Sequence, residues 1–97
     1  MVKLTCTPHV ALGIIAICNF YADNDCHKVL CDDTARRMIK TIAEGLVLGD
    51  DTTCSIKLDE VDCEDLYLLL EYFERTIPDS RVYLDDVLQQ LFAAMNY

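Results

Sequence analysis

Apolar residues recur at helical spacing in three stretches of this chain, and the first of them runs from residue 35 to residue 46. Asp32 and Asp33 precede it, and their carboxylates can accept hydrogen bonds from the free N–H groups of a first helical turn. Gly45 offers a left-handed end to this helix. The predicted apolar face consists of Ala35, Met38, Ile39, Ile42 and Leu46.

The second stretch carries two apolar stripes, although a helix needs only one face to join one core. Leu68 and Tyr72 form the smaller stripe, which at ~100° per residue is rotated by more than about 150° from the larger one. The smaller stripe either packs under a neighbouring loop or binds a partner protein, and the sequence leaves both interpretations open. The larger stripe, predicted to face the core, consists of Leu66, Leu69, Leu70 and Phe73.

The third stretch predicts a closing helix that begins near Asp85 and Asp86, after a short extended piece at residues 81–84. Its apolar positions continue into the segment 88–97, on which the sequence ends. We expect this segment either to be buried in the domain or to be offered to another protein, because an apolar helix end open to water is unfavourable. The apolar positions are Leu84, Val87, Leu88, Leu91 and Met95.

Alternating patterns predict β-structure in two places. At residues 15–20, Ile15, Ile17 and Asn19 alternate with Ala16, Cys18 and Phe20. The Asp-Asn-Asp cluster at 23–25 provides turn chemistry and residues 26–30 resume an extended pattern, which together predict a β-hairpin. Residues 54–58 alternate once more after the polar loop 49–53, and they predict a short strand. The predicted order is hairpin, helix, strand, helix, extended piece and helix, which is a single mixed α/β domain over residues 1–97.

Composition bears on the kind of partner that the chain can bind and on the redox state of its cysteines. The chain carries 17 acidic and 8 basic side chains, a formal net charge of -9, so it would repel the phosphates of nucleic acid. Six cysteines would suit a disulfide framework, but a 53% apolar composition can build a core without bridges, so we expect reduced, mostly buried thiols. The apolar run 10–17 is too short to span a bilayer and no A-x-A-like cleavage site follows, so we predict neither a membrane segment nor secretion.

No residue pattern points to catalysis or to a bound metal. The cysteines include no C-x-x-C pair, and their spacings, with only His9 and His27 to add, do not reproduce a structural zinc site. The adjacent carboxylates at 50–51 and 85–86 cannot converge on one substrate atom, and nucleotide-binding glycine patterns are missing. We therefore predict no cofactor and no enzyme activity, and a small thiol or metal enzyme is the least favoured alternative.

Several segments, taken in order over residues 14–97, resemble the small BTB/POZ adaptors of cullin-RING ubiquitin ligases, Elongin C and the Skp-type adaptor. The predicted hairpin resembles their opening hairpin, and Arg-Met-Ile-Lys-Thr-Ile at 37–42 resembles the core of their next helix. The acidic loop at 49–53 and the short strand at 55–58 follow in the same order as an acidic loop and a short strand do in these adaptors. Asp-Leu-Tyr-Leu-Leu-Leu-Glu-Tyr-Phe at 65–73 and Leu-Gln-Gln-Leu-Phe-Ala-Ala-Met-Asn-Tyr at 88–97 are similar to the last two helices. The resemblance implies an α+β, BTB/POZ-like fold with a small mixed sheet, a β-hairpin start and three to five helices.

Three departures from the family pattern bear on this alignment. Residues 1–10 have no clear counterpart and form an N-terminal extension; alternatively, residues 2–5 are the first strand and a long insertion follows. Gln90 stands where the family has an apolar residue, and Met95 is inserted in the family's Ala-Ala-Asn-aromatic order. Skp-type proteins continue past the last helix, whereas Elongin C ends within a few residues of it, as this sequence does. The resemblance is therefore closer to Elongin C.

The resemblance implies a non-catalytic adaptor subunit, cytoplasmic and nuclear, that links a BC-box-like helix of a substrate receptor to a cullin. It also implies an Elongin B-like, ubiquitin-like companion subunit, and it allows a role in an elongin-type transcription elongation complex. Two alternatives stay open. One is a self-associating BTB-fold scaffold, which would form a homodimer, and the other is a Skp-type adaptor that binds an F-box-like partner.

Two interaction sites follow from the same resemblance. The family alignment implies a hydrophobic pocket that would take the apolar anchor of an amphipathic partner helix. It also implies a loop that would face the cullin. The pocket would be lined by Leu68, Tyr72, Val82, Leu88, Ala94 and Tyr97. The cullin-facing loop would comprise Leu48, Gly49, Asp50, Asp51, Thr52 and Thr53.

Overall fold

The structure is a computed structural model that describes residues 2–23 and 32–95 of the chain. In these residues four α-helices accompany a two-stranded antiparallel sheet, so the predicted α+β class is confirmed. The elements in chain order are β1 (Val2–Cys6), α1 (Pro8–Asp23), α2 (Asp32–Leu48), β2 (Cys54–Leu58), α3 (Glu60–Thr76), a 3-10 turn (Pro78–Ser80) and α4 (Arg81–Met95).

The sheet joins the first strand of the chain to the strand that follows α2. β1 and β2 run antiparallel in a register that pairs Leu4 with Ile56 and Cys6 with Cys54. Leu4 and Ile56 are fully buried, because alternate residues of a strand point to the same face and this face meets the core. The interpretation of residues 2–5 as a first strand is therefore confirmed. In the described residues the sheet is antiparallel, whereas the family resemblance implied a mixed one.

The predicted hairpin is wrong in its first strand, because residues 15–20 belong to α1. Thr7 starts this helix: its hydroxyl accepts a hydrogen bond from the backbone N–H of Val10 at 3.3 Å. Periodicity alone cannot separate a short apolar run in a strand from one in a buried helix, and here the buried positions follow the helical period. The second predicted strand, 26–30, lies outside the described residues. The buried residues of α1 are Ala11, Ile14, Ile17, Cys18 and Tyr21.

The helix predicted from the first apolar stretch is α2, and its buried residues include Met38 and Ile42. The predicted end at Gly45 is wrong, since α2 continues for another three residues and no glycine in the described residues has a positive φ. Gly45 instead allows α2 to approach β2 closely. A Cβ atom at this position would lie 2.7 Å from the carbonyl oxygen of Ser55, which is closer than van der Waals contact permits.

α3 and α4 run antiparallel on either side of the 3-10 turn. Asp59 caps α3, since its carboxylate accepts a hydrogen bond from the backbone N–H of Asp62 at 2.7 Å. Arg81, the first residue of α4, pairs with Glu74 near the end of α3 at 2.9 Å. The predicted core residues buried in this pair are Leu66, Leu69, Leu70, Leu84, Val87 and Leu91.

The predicted start of the last helix is wrong. α4 begins at Arg81, so residues 81–84 form its first turn and are not extended. The 3-10 turn leads directly into the helix, and the hydroxyl of Ser80 donates to the carbonyl oxygen of Ile77 at 2.7 Å. Asp85 and Asp86 consequently lie beyond the first turn, where their carboxylates accept hydrogen bonds from the glutamines one turn later.

Two polar contacts tie the elements together around the core. The guanidinium of Arg37 on α2 binds the buried carboxylate of Asp62 on α3, with Nε 3.1 Å from Oδ1. The side-chain amide of Gln90 on α4 donates to the carbonyl oxygen of Thr5 at 2.7 Å, and its Oε1 accepts from the N–H of Thr5 at 3.0 Å. None of the helices in the described residues is long and apolar enough to cross a membrane.

Candidate functional site

An apolar groove, which we call the α1 groove, opens between α1, the end of α3 and the start of α4. Its volume is about 440 Å³, which lies within the usual range of small-molecule and cofactor clefts. His9 and Ser80 add polar side chains to the lining. The other lining residues are apolar, aromatic or glycine: Val10, Gly13, Ala16, Ile17, Phe20, Phe73, Ile77, Tyr83 and Leu84.

α1 forms one wall of the α1 groove with a stripe that includes two small residues. His9, Gly13, Ala16 and Phe20 are spaced by three or four positions, so they lie on one face of the helix. Apart from the backbone of its own helix and its two chain neighbours, nothing lies within 4 Å of the position that a Cβ atom of Gly13 would occupy. The size of residue 13 therefore decides how far this part of the groove stays open.

Three large side chains at the α1 groove are open to solvent, and each comes from a different segment. Phe20 of α1 is 53% exposed, Ile77 at the end of α3 is 46% exposed, and Tyr83 of α4 is 63% exposed. A monomeric protein normally keeps apolar surface scattered, and apolar side chains gathered around a recess are typical of a binding surface. The α1 groove is therefore the strongest candidate site in the described residues.

A cluster of aromatic rings supports the wall between α1 and α3. The ring of Tyr21 lies 5.6 Å from that of Tyr72 and 6.2 Å from that of Phe73, both in edge-to-face geometry. Phe20 packs against Tyr21 in the same manner at 5.1 Å. Burial raises the pKa of the Tyr21 hydroxyl, because it disfavours the charged phenolate. Phe73 and Phe20 are thus held in position at the groove.

Two polar side chains near the α1 groove have local partners. Arg81 binds Glu74 at 2.9 Å, and the hydroxyl of Ser80 donates to the backbone of Ile77. In the described residues, no group of three or more His, Cys, Asp or Glu side chains could hold a metal ion. The groove consequently offers apolar contact and shape, and it offers little charge to a ligand.

A second recess lies at the other end of the α3 and α4 pair, with a volume of about 550 Å³. Glu60 and Glu64 line it, and neither carboxylate has an ion-pair partner among the described residues. Tyr67 lines it too, and the centre of the Tyr67 ring lies 6.1 Å from that of the Phe92 ring. The remaining lining residues are Val2, Cys63, Leu68, Ala94 and Met95.

The structure brings together only part of the predicted partner-helix pocket. Leu68 and Ala94 both line the second recess. Val82 is 84% exposed and lines neither the α1 groove nor the second recess. The predicted pocket is therefore not a single cavity in the described residues.

The other predicted pocket residues lie elsewhere. Tyr72 is half-buried against Tyr21 of α1, and Leu88 is half-buried against the core. Tyr97 lies outside the described residues. The smaller apolar stripe of α3 is accordingly divided, since Tyr72 packs inside the domain while Leu68 remains half exposed.

The predicted cullin-facing loop is an ordered turn organised by Asp50. Its Oδ1 accepts hydrogen bonds from the backbone N–H groups of Thr52 and Thr53, each at 2.8 Å, and from the hydroxyl of Thr52. The N–H of Asp50 donates to the carbonyl oxygen of Thr53 at 3.0 Å. The hydrogen bonds from Thr52 and then Thr53 lower the pKa of Asp50, because they favour the charged carboxylate.

The surface beside this turn is partly apolar. Val47 and Leu48, at the end of α2, are both largely exposed, and Asp51 is exposed on the turn itself. Gly49 lies against the backbone of the turn, since a Cβ atom there would be 2.8 Å from the carbonyl oxygen of Thr53. The turn therefore presents two apolar side chains and two carboxylates from a fixed backbone.

The residues of the α1 groove were not predicted, because two of its three walls were assigned to extended structure. Phe20 fell in the predicted hairpin, and Tyr83 fell in the predicted extended piece at 81–84. One signal could have revealed the first wall. Thr7 followed by Pro8 is a typical helix start, and it stands directly before the spaced stripe of small and apolar residues.

Comparison with known proteins finds no protein family, no curated protein and no solved structure that matches this chain. The chain is therefore not assigned to a family. The resemblance to small BTB/POZ adaptors stays a hypothesis that rests on the sequence segments at 37–42, 65–73 and 88–97.

Proposed function

We propose that this chain is a non-catalytic adaptor that binds the apolar face of a helix from another protein in the α1 groove. The observation that carries the proposal is the apolar lining of this groove, with Phe20, Ile77 and Tyr83 open to solvent at it. An amphipathic helix presents apolar anchors at i, i+3 or i+4, and i+7, and such anchors bind in grooves of this character. A polar substrate would meet few hydrogen-bonding groups there.

We further propose that the adaptor acts in a cullin-RING ubiquitin ligase, in the cytoplasm and nucleus. The bound helix would then be the BC-box-like helix of a substrate receptor, and the turn at 48–53 would contact the cullin. The order of family-like segments through α2, α3 and α4 supports this assignment, as do the exposed side chains of Val47 and Leu48 beside the turn. An Elongin B-like companion and a transcription elongation complex belong to the same proposal.

Two substitutions at one position test the helix-binding proposal. Gly13→Phe would place a ring in the open space of the α1 groove, whereas Gly13→Ala adds a single methyl group. Each tagged variant is expressed at native level, and the proteins that it retains are quantified by mass spectrometry. We expect Gly13→Ala to retain a receptor protein and Gly13→Phe to lose it by about tenfold or more, the effect of ~1.4 kcal/mol in binding.

Circular dichroism of both variants establishes that each is folded before the comparison is made. Equal retention by the two folded variants would contradict the proposal. The ligase assignment has its own test, Leu48→Asp, which should lose a cullin and keep the receptor. If wild type retains a receptor helix but never a cullin, the ligase assignment fails while the helix-binding proposal stands.

Self-association is the rival use of the same surface, because Leu12 and Phe20 both lie exposed on α1 and a second copy could cover them. Sedimentation velocity of the purified chain separates the two. A monomer supports the adaptor. A dimer that Gly13→Phe dissociates would assign the groove to a second copy of the chain and would replace the adaptor proposal.

A further inference from the structure

Two thiols face each other across the sheet, and neither belongs to a residue that lines the α1 groove. Cys6 ends β1, Cys54 begins β2, and the strand register makes them direct partners. Their Sγ atoms lie 3.7 Å apart, and the thiol of Cys54 also donates to the carbonyl oxygen of Cys6 at 3.4 Å. Neither is in a disulfide. The fold thus holds a close pair of reduced thiols.

The positions of this pair suit a covalent bond between the sulfurs. Directly opposed residues of an antiparallel sheet have Cα atoms about 4.5–5.5 Å apart, and disulfides bridge Cα separations of about 4.4–6.8 Å. A sulfur–sulfur bond is about 2.05 Å long, so the two Sγ atoms need to approach each other by less than about 2 Å. Rotation of the two side chains can supply this movement without a change of strand register.

We propose that Cys6 and Cys54 form an oxidation site, at which a small disulfide of the glutathione disulfide class converts the two thiols into an intramolecular disulfide. Cys6 is partly buried and Cys54 is buried, so Cys6 is the more accessible of the two and meets the oxidant first. The Cys6 thiolate attacks one sulfur of the oxidant, the oxidant's S–S bond breaks, and one small thiolate leaves.

The buried partner then completes the reaction. The Cys54 thiolate attacks the Cys6 sulfur of the mixed disulfide, and the second small thiolate leaves. Two S–H groups have become one S–S bond, their two protons pass to the two leaving thiolates, and the oxidant has been reduced to two thiols.

The surroundings of the pair make this reaction slow at neutral pH. Burial, then the hydrogen bond and charge of Cys54, and then the carboxylate of Asp86 on α4 raise the pKa of Cys6 to about 12. The thiolate is the attacking species, so its scarcity slows the first step. We therefore expect oxidation to be faster at alkaline pH than at neutral pH, because the thiolate is more abundant there.

Oxidation would fix the first strand to the rest of the domain. β1 is held by β2 on one side and by the Gln90 side chain of α4, which bonds Thr5. A bond between residues 48 positions apart closes a long loop and so restricts the unfolded chain strongly. We expect the oxidised protein to unfold at a temperature about 10 °C above that of the reduced protein.

The test incubates the full chain with glutathione disulfide at mildly alkaline pH, digests it without reduction, and identifies cross-linked peptides by mass spectrometry. We expect a peptide that joins Cys6 to Cys54 as the main product, with a rise in Tm that dithiothreitol reverses. Cys6→Ser, a small change at a partly buried position, should give neither the peptide nor the rise. A chain with Cys26→Ser and Cys31→Ser should give both, because the site does not use those thiols.

Two results would overturn the proposal. One is stable attachment of glutathione to Cys6 with no cross-link to Cys54. The other is a product dominated by other cysteine pairs while Cys6 and Cys54 remain free. Neither result bears on helix binding, because that proposal rests on the α1 groove and is measured with reduced protein.

Discussion

At the scale of single residues, Gln90 has a role that depends on a strand far away in the chain. Its amide group both donates to and accepts from the backbone of Thr5, 85 positions earlier, as a neighbouring strand would. The same side chain also donates to Asp86 at 3.0 Å. In the resemblance to the small adaptors, Gln90 stands where an apolar residue is expected. The sequence could not supply the reason, because nothing local to α4 indicates that β1 passes beside it.

Asp50 allows a prediction about pH at the same scale. Its pKa is lowered by hydrogen bonds from Thr52 and Thr53, so its charged form favours the folded state. This stabilisation is fully present above the carboxyl's unfolded pKa, about 3.9, and is lost as pH falls through the lower folded pKa. We expect Asp50→Ala to be less stable than wild type at pH 7, and we expect the difference to shrink at pH 3. Urea unfolding at the two pH values measures it.

Asp51 provides the matched control for this prediction. It is the next residue of the same turn and is exposed to solvent. Asp51→Ala removes the same charge, so it reproduces any effect of net charge without touching the bonds that order the turn. A loss of stability at pH 7 that is equal in the two variants would show that charge, and not the Asp50 bonds, is responsible.

At the scale of elements, the local pattern of apolar and polar residues predicted a helix or strand correctly where one face of the element is buried and a polar segment bounds it. α2, β2 and α3 satisfy that condition, and each was predicted close to its observed position. α1 does not satisfy this condition, because residues 10–18 are almost continuously apolar. Such a run fits a buried strand as well as a buried helix. The start of α4 was missed for a different reason. A 3-10 turn delivers the chain into the helix without an extended connection.

Gly13 and Gly45 give a paired prediction about two of these helices. Both lie inside helices, where alanine is intrinsically preferred over glycine by about 0.5–1 kcal/mol. At Gly13 a Cβ meets nothing within 4 Å, so Gly13→Ala should raise the free energy of unfolding by about that amount. At Gly45 a Cβ would lie 2.7 Å from the backbone oxygen of Ser55, so Gly45→Ala should lower it. Urea denaturation of both variants measures the signs.

Opposite signs are the informative result here, because the chemical change is the same in both variants. Stabilisation by both substitutions would contradict the close approach of α2 to β2 at Gly45. If both destabilise the protein, the space beside Gly13 is not open, which would also weaken the case for the α1 groove.

At the scale of the whole molecule, the α1 groove and the polar ties between elements depend on residues that are distant in sequence. The groove takes its walls from α1, α3 and α4, so no single stretch of sequence contains its pattern. The Arg37 and Asp62 ion pair likewise joins α2 to α3 across 25 positions. Sequence patterns predicted the buried faces of α2, α3 and α4, but the pairing of those faces is decided by packing of the complete chain.

The last prediction concerns charge in a molecule with a net charge of -9. Asp62 is buried and is bound by the Arg37 guanidinium, whereas the pKa of Asp65, one turn further along α3, is raised by burial and by the carboxylates of Asp62 and Glu64. Asp62→Asn should therefore lower the free energy of unfolding by about 1–3 kcal/mol, since a charged hydrogen-bonded pair is lost. Asp65→Asn should raise it at pH 7, because a carboxyl whose folded pKa is raised costs stability once it is ionised.

Each of these substitutions removes one negative charge, so the change in overall repulsion is the same and the contrast isolates the local surroundings. Urea unfolding at pH 7 and pH 3 measures both. The gain from Asp65→Asn should disappear at pH 3, because that pH lies below the unfolded pKa of about 3.9 and Asp65 is then protonated in both states. Equal stabilisation by the two variants would mean that net charge governs this surface, and that the Arg37 contact does not hold α2 to α3.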